Sequence, residues 1–369
     1  MRPSARGGAP HDRIPVAVLG ATGAVGQTFI RLLARHPWFR VAELAASERS
    51  AGRAYGDAAR WLEGELPDEI ATMTVLPCDP AAVRAPLIFS ALDAAVAGDA
   101  EAAFARAGRF VLSNARNFRM EPDVPLLIPE VNPHHLAVLE AQRARRAWDG
   151  AIITNANCAT MVIAMTLAPL HATFGVETLF VATMQAVSGA GYPGVPSLDI
   201  LGNVIPFIAN EEEKIESETL KILGAMMDGA VVPAPIRVSA QANRVPVENG
   251  HTACMAVGLG RRVDPEEATH ALASWCSAVA DLSLPSAPAH PLIVLDAPDR
   301  PQPKRDAGAG NGMSIVIGRV RRDPILDVRL VATGHNTIRG AAGASVLNAE
   351  FLVARGMIGA EGQATRAIG

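Results

Sequence analysis

Cysteine is scarce in this chain, four in 369 residues. Cys78, Cys158, Cys254 and Cys276 stand far apart, with no pair at zinc-ligand spacing, so neither a disulfide scaffold nor a structural metal site is expected and the thiols read as free. An excess of basic charge is also missing. The 33 basic and 37 acidic side chains give a net charge of −4, and the charges are scattered, so there is no stripe for a phosphate backbone and no nucleic-acid partner is expected. Met1 to Arg13 carries Arg2, Arg6 and Arg13 among glycine, proline and serine; with no apolar segment it is not a secretory leader, and a flexible tail over 1–13 is expected. Gly150 to Val176 has no Asp, Glu, Lys or Arg, but Asn155, Asn157, Pro169 and His171 interrupt it, which argues for buried core and against a membrane span. Internal repeats and low-complexity tracts are lacking too. Free thiols and the absence of a leader fit a reducing, cytoplasmic setting.

What is present is material for a large core. With 49% hydrophobic and 19% charged residues the chain can offset its ordering entropy, and its length suits two domains. Ile14 to Leu19 is a short apolar run that reads as a strand, followed by helical periodicity from Ala24 to Arg35. Val41 to Ala46, Pro86 to Leu92 and Arg109 to Ala115 are further short apolar runs, separated by segments long enough for crossovers, as in a parallel sheet. An α/β domain thus reaches to about Thr154. From Asn155 the character changes: an apolar helix over Ala159 to Leu170 is mixed with strand-like Thr178 to Ala186, Ile236 to Val247, Thr252 to Leu259, Met313 to Val320 and Ile325 to Ala332, which predicts an antiparallel or mixed sheet. Asn203 to Met227 reads as mostly helical, proline-rich Ala287 to Asp306 as an extended excursion, and Gly340 to Arg355 as a last helix.

Gly20-Ala-Thr22-Gly23-Ala24-Val25-Gly26 follows the first strand and opens the first helix. In that context the glycines allow a tight turn and close approach of a pyrophosphate, whose charge meets free backbone N–H groups and the helix dipole. After the second strand an acidic residue would meet a free ribose 2′-hydroxyl. This chain instead reads Ala46-Ser47-Glu48-Arg49-Ser50, in which Ser47, Arg49 and Ser50 suit a 2′-phosphate and favour NADP over NAD, the alternative being a solvated surface turn.

Cys158 follows Asn155-Ala-Asn157 and precedes the apolar helix, so its sulfur is expected at a helix N-terminus, which stabilises thiolate and offers N–H groups to an oxyanion. Cys78, Cys254 and Cys276 read as small buried hydrophobes. His251 lies after a glycine turn at the end of an apolar strand; it is either a structural imidazole or one placed to protonate an oxygen. Glu211 and Lys214 share a helix face, which on spacing alone reads first as a solvated acidic surface.

Taken together these segments resemble the aspartate-semialdehyde dehydrogenases, particularly the archaeal and fungal branch. The resemblance runs through Gly20 to Gly26, Ser113-Asn-Ala-Arg-Asn-Phe-Arg119-Met, Leu127-Ile-Pro-Glu-Val-Asn132, Asn155-Ala-Asn-Cys158-Ala-Thr, Gln185-Ala-Val-Ser-Gly-Ala-Gly191, Asn243-Arg-Val-Pro-Val247 with Gly250-His251, and Asn336-Thr-Ile-Arg-Gly-Ala-Ala342. Ala156 and Ala159 depart from the pattern.

The resemblance implies a Rossmann-type NADP-binding domain over 14–154, a catalytic and dimerisation α+β domain with a mixed sheet over 155–336, and a C-terminal helix within 337–369 packing back on the first domain. It implies that Cys158 is the nucleophile, His251 the general acid/base and Gln185 the residue positioning substrate. Arg244 would meet the substrate carboxylate and Glu211 its amino group, with Lys214 and Arg119 at phosphate-binding positions and Asn157 beside the substrate. Ser188, Gly189 and Asn336 would contact the nicotinamide. The implied reaction is NADPH-dependent reduction of L-4-aspartyl phosphate to L-aspartate 4-semialdehyde, a step of amino-acid biosynthesis, by a homodimer or homotetramer without a metal. A related acyl-CoA reductase, such as malonyl-CoA reductase, shares the thioester chemistry, and a non-catalytic NADP-binding regulator shares the fold.

Overall fold

In the computed structural model residues 12–358 are described. The expected tail over 1–13 lies outside them apart from its last two residues, as does 359–369 of the expected C-terminal helical segment. Strands run β1 (Ile14–Leu19), β2 (Phe39–Ala46), β3 (Val75–Pro77), β4 (Leu87–Ser90), β5 (Phe110–Ser113), β6 (Ala151–Thr154), β7 (Val176–Gln185), β8 (Ala225–Met227), β9 (Ala230–Val232), β10 (Arg237–Arg244), β11 (His251–Leu259), β12 (Leu292–Leu295), β13 (Ile315–Arg322) and β14 (Val328–Gly334). The longer helices are α1 (Ala24–Leu33), α2 (Ala94–Arg106), α3 (Val138–Arg146), α4 (Cys158–Phe174), α5 (Glu211–Ile222), α6 (Pro265–Ala273) and α7 (Gly343–Ala354).

The first sheet has the order β3-β2-β1-β4-β5-β6 and every pairing in it is parallel. Its apolar strands are covered on both faces, as parallel sheets must be. Val16 and Val18 join a cluster with Phe29 and Leu33 of α1 and Val346 and Phe351 of α7, whereas Ala17 and Leu19 point the other way, into a cluster with Phe104 of α2 and Ile152. Alternation along one strand thus feeds two helical layers. α7 belongs to the layer under the first sheet although it is the last helix of the described chain. The strand order reverses between β1 and β4, and the glycine turn sits at that crevice.

The second sheet has the order β10-β7-β11-β14-β13-β12 and is mixed. β7 alternates between buried residues such as Leu179 and Val181, packed on α4, and exposed Phe180 and Met184 on the opposite face. α4 is buried from Ala159 to Leu170 on every side, which explains its nearly uniform apolar sequence.

Three segments differ from expectation. Only Glu211 to Ile222 of the stretch 203–227 is α-helical: Pro206 lies ahead of the helix, and β8, read as its end, pairs with β9 in a small hairpin. The excursion 287–306 contains β12, an edge strand parallel to β13, and a short helix from Pro303 to Asp306. β14 begins at Val328 and not Ile325, because the Asp323 carboxylate accepts from the N–H groups of Ile325 and Leu326 and closes a turn there.

Candidate active site

Gln185 and Arg244 are the last residues of β7 and β10 and face each other in a parallel register. β11 runs antiparallel to β7 and begins with His251 at this same end. β14 ends at Gly334, opposite His251, and delivers Asn336 to this rim. Cys158 arrives independently, as the first residue of α4 just after β6. Its helix is started by Asn157, whose Oδ1 accepts from the N–H groups of Ala159 and Thr160 at 2.9 and 3.1 Å. The outcome is a contact of 3.1 Å between Cys158 Sγ and His251 Nε2.

The proton positions follow from the backbone. The Ala186 N–H donates to His251 Nδ1 at 3.1 Å; an amide nitrogen can only donate, so the proton of the neutral ring resides on Nε2, facing sulfur. The carbonyl of Ala186 accepts from Arg244 Nη1 at 2.8 Å, so one residue orients both side chains. Burial, seconded by Arg244 and His335 against the opposing effect of Glu211, lowers the His251 pKa to about 3, and the imidazole is neutral at physiological pH. Gly189 closes this corner. A Cβ there would lie 2.8 Å from Arg244 Nη1 and 2.9 Å from His251 Cε1.

Burial pushes the half-buried Cys158 thiol up to about 12, with Glu211 acting in the same direction and Lys214, Arg119 and Arg244 opposing. The expected helix N-terminus is there, but a thiolate in the resting site is not: desolvation outweighs the nearby cations, two of which are already paired. Iodoacetamide alkylation of Cys158 in the ligand-free protein should therefore rise about tenfold per pH unit from pH 7 to 9. Peptide mass spectrometry would read this, and a plateau below pH 8 would contradict it.

One face of α5 supplies the remaining charges. Glu211 pairs with Lys214, three residues on, and its Oε1 accepts from Asn157 Nδ2 at 2.8 Å and Gln185 Nε2 at 3.0 Å. Burial raises the pKa of Glu211, but Lys214 and these donors prevail and hold it below the ordinary value. Arg119 is joined to the site through Glu218, at 2.9 Å, and the other Glu218 oxygen accepts from the Asn157 N–H at 2.6 Å. Glu218 was absent from the sequence reading; seven residues after Glu211 it lies on the same helix stripe, which was the available signal. Of the three cysteines expected as buried hydrophobes, Cys276 is exposed and Cys78 and Cys254 are only half-buried.

The glycine turn fits a dinucleotide. Gly20 has φ +69°, and a Cβ on it would come within 2.5 Å of the Ala91 carbonyl oxygen; a Cβ on Gly26 would meet the Gly20 oxygen at 2.3 Å. At Gly23 the nearest atom would be 3.4 Å away, so that side is open. α1 begins there without a side-chain cap or an acidic residue in its first turn, leaving its N–H groups to an anion. A cleft of about 460 Å³ brings Ala24 of this turn together with Ser188, Gly191 and Thr337. Asn336 spans its inner end, donating to Ser188 Oγ and accepting from the Gly250 N–H, each at 2.8 Å. Thr22 and Val25 are half-buried in the turn, Ser47 and Arg49 are exposed beyond β2, and Ser50 is buried with its N–H on the Ser47 carbonyl. Among the described residues no cluster of His, Cys, Asp or Glu suits a metal ion, and no helix is long and apolar enough to cross a membrane.

A Rossmann-type sheet joined to a mixed sheet, with the cysteine that starts α4 in contact with a histidine on the mixed sheet's rim, suits a dinucleotide-dependent enzyme that works through a thiol. Residues 15–139 match the family described as semialdehyde dehydrogenase, NAD binding domain, and residues 167–339 that described as semialdehyde dehydrogenase, dimerisation domain. The aspartate-semialdehyde dehydrogenase of Archaeoglobus fulgidus is 51% identical over 92% of this chain and 98% of its own length. That of Cryptococcus neoformans is 46% identical over 95% and 99%. The crystal structure of the Candida albicans aspartate semialdehyde dehydrogenase with NADP matches with a TM-score of 0.87 at 43% identity, over 94% of this chain and all of that one. The chain belongs to the aspartate-semialdehyde dehydrogenase family.

Proposed function

We propose that this protein reduces L-4-aspartyl phosphate to L-aspartate 4-semialdehyde and phosphate with NADPH, through a thioester on Cys158. The observation that carries the proposal is the 3.1 Å contact of Cys158 Sγ with a histidine nitrogen whose proton faces it. Sγ attacks the acyl carbon and the bond to the phosphate oxygen breaks; the thiol proton departs with the leaving group as hydrogen phosphate. Nicotinamide, when bound, supplies a hydride to the thioester carbon. His251 Nε2–H hydrogen-bonds the resulting oxyanion without giving up its proton; as the oxyanion collapses to the aldehyde and the carbon–sulfur bond breaks, the same N–H holds the emerging thiolate until a solvent proton restores the thiol.

The substrate carries a carboxylate, an ammonium and a phosphate. Arg244 suits the first, Glu211 the second, and Lys214 with Arg119 the third, with Gln185 and Asn157 orienting the Glu211 carboxylate. An ammonium beside Glu211 would offset the carboxylate that opposes thiolate formation at Cys158.

The cofactor would be held by Gly20, Thr22, Gly23, Ala24, Val25 and Gly26 at its pyrophosphate, by Ser47, Arg49 and Ser50 at its 2′-phosphate, and by Ser188, Gly189 and Asn336 near the nicotinamide. Arg49→Ala should raise KM for NADPH about tenfold and leave that for NADH unchanged; equal effects on both would remove Arg49 from the 2′-phosphate site. In this reading 14–154 with the helical segment after 337 serves the cofactor, and 155–336 serves chemistry and association.

A cytoplasmic homodimer is the working form proposed, with the face bearing exposed Phe180 and Met184 meeting a second copy, and dimers can pair further into tetramers. Small molecules are its substrates, with neither nucleic acid nor membrane as partner. The deciding assay supplies aspartate semialdehyde, phosphate and NADP and follows NADPH formation. Turnover that needs phosphate and is absent with malonate semialdehyde and CoA supports the proposal; the reverse pattern identifies an acyl-CoA reductase, and no turnover in either assay overturns catalysis.

A further inference from the structure

Two segments of the sequence, Leu127 to Asn132 and Ile338 to Ala342, have no part in the chemistry above, yet the fold brings them together behind the reactive sulfur. Residues Ile338–Ala342 form a π turn, closed by Gly340 N–H on the His335 carbonyl and Ala342 N–H on the Thr337 carbonyl at 2.9 and 3.0 Å. Such wide turns are uncommon and concentrate at functional sites. Its broad face rests on the nucleophile: a Cβ on Gly340 would lie 2.6 Å from Cys158 Cβ and 3.0 Å from its Cα. Asn155, two residues before the Asn157 cap, donates to the Ala341 carbonyl at 2.8 Å.

Arg339 projects from this turn into the protein and is only 1% exposed. Its guanidinium grips Glu130 with two bonds, Nη1 to Oε1 at 2.6 Å and Nη2 to Oε2 at 2.9 Å. Glu130 sits in a tight turn whose Asn132 N–H and Val131 N–H both bond the Ile128 carbonyl, and Leu127 N–H of the same segment bonds the Thr154 carbonyl at the end of β6. β6 is the strand that leads to Cys158. The ion pair therefore closes a ring from β6 through Glu130, Arg339 and Gly340 back to Cys158. Buried ion pairs of this kind seldom add net stability over apolar replacements, so a positional role is the better account of this one.

We propose that Arg339 and Glu130 are positioning residues: their ion pair holds the π turn so that Gly340 backs Cys158 and Sγ points at His251 Nε2. The same turn begins next to Asn336, so it also sets where the sulfur lies relative to the nicotinamide side of the cleft. The inference rests on Cys158 being the nucleophile.

The test compares Glu130→Gln, Glu130→Asp and Gly340→Ala with wild type, measuring kcat, KM, NADPH affinity, melting temperature and the pH dependence of Cys158 alkylation. Gly340→Ala removes neither partner of the ion pair but pushes on Cys158 Cβ and Cα; it should cut kcat about 100-fold or more, with KM and NADPH affinity within about threefold. Glu130→Gln should act in the same way where it folds, and Glu130→Asp should recover part of the loss. The alkylation rate at pH 8 should change at least about fivefold in Gly340→Ala. Gly340→Ala with kcat within about threefold of wild type and an unchanged alkylation profile overturns the proposal, as does folded Glu130→Gln with full kcat. Alkylation is read without substrate, so it tests positioning even if wild type fails on aspartate semialdehyde, a failure that would count against the functional reading alone.

Discussion

Cys158→Ser should lower kcat by at least about 10⁴-fold while NADPH binds within about twofold of wild type. The substitution keeps the Cβ that packs on Gly340, and the helix start is untouched because the cap is the Asn157 side chain. What changes is the nucleophile. A hydroxyl has no base to activate it here, since the histidine nitrogen that faces the sulfur already bears its proton, and serine gives an ester, a poorer hydride acceptor than a thioester. The glycine turn and the Ser188 cleft are separate from the sulfur, so cofactor binding is spared. Kinetics of aspartate-semialdehyde oxidation and fluorescence titration with NADPH would check both halves; residual turnover above about a hundredth of wild type would mean that the thioester is not obligatory.

His251→Asn is the second large effect, a fall in kcat of about 10²–10⁴-fold. The ring matters as a neutral donor, and this has a pH signature. Because burial and its cationic neighbours lower the pKa of His251 to about 3, the acid limb of wild-type kcat/KM should not show a histidine titrating near 6.5. Stability has a definite sign as well. Between about pH 6.5 and 3 the unfolded chain protonates this histidine and the folded chain does not, so the unfolded state binds more protons and folding stability falls as the pH drops through that window. His251→Asn lacks this contribution. Its urea midpoint should lose less than that of wild type between pH 7 and 4.5, whereas equal losses would show that His251 is as easily protonated in the fold as out of it. His135, whose pKa burial lowers to about 4, contributes in both proteins and cancels in the comparison.

Much of the first domain was legible because its signals are local. Ile14 to Leu19 is buried on both faces and reads as an unbroken apolar run; the glycine turn needs its small residues where the chain crosses itself, at Gly20 and Gly26. Less was legible where an edge element borrows its stability from a neighbour. β12 lies in a proline-rich stretch and becomes a strand by pairing with β13. The helix expected from Asn203 starts only at Glu211, since Pro206 and the bridge from Ile205 to Arg244 hold the approach extended.

Within the site, residue types and local spacing were sufficient to single out Cys158 at a helix start, because capping depends only on near neighbours, whereas Glu211 and Lys214 share a helix face by spacing but were marked as site residues only by the family resemblance. Tertiary structure alone decided the rest. Cys158 and His251 are 93 positions apart, Arg119 and Glu218 are 99 apart, and Arg339 and Glu130 are 209 apart. Sheet order and register choose which strand ends share a rim, and no local pattern encodes them. The protonation of the pair was likewise decided by what lies over it: the Ala186 amide puts the imidazole proton on Nε2, and burial favours the thiol over the thiolate in the ligand-free site.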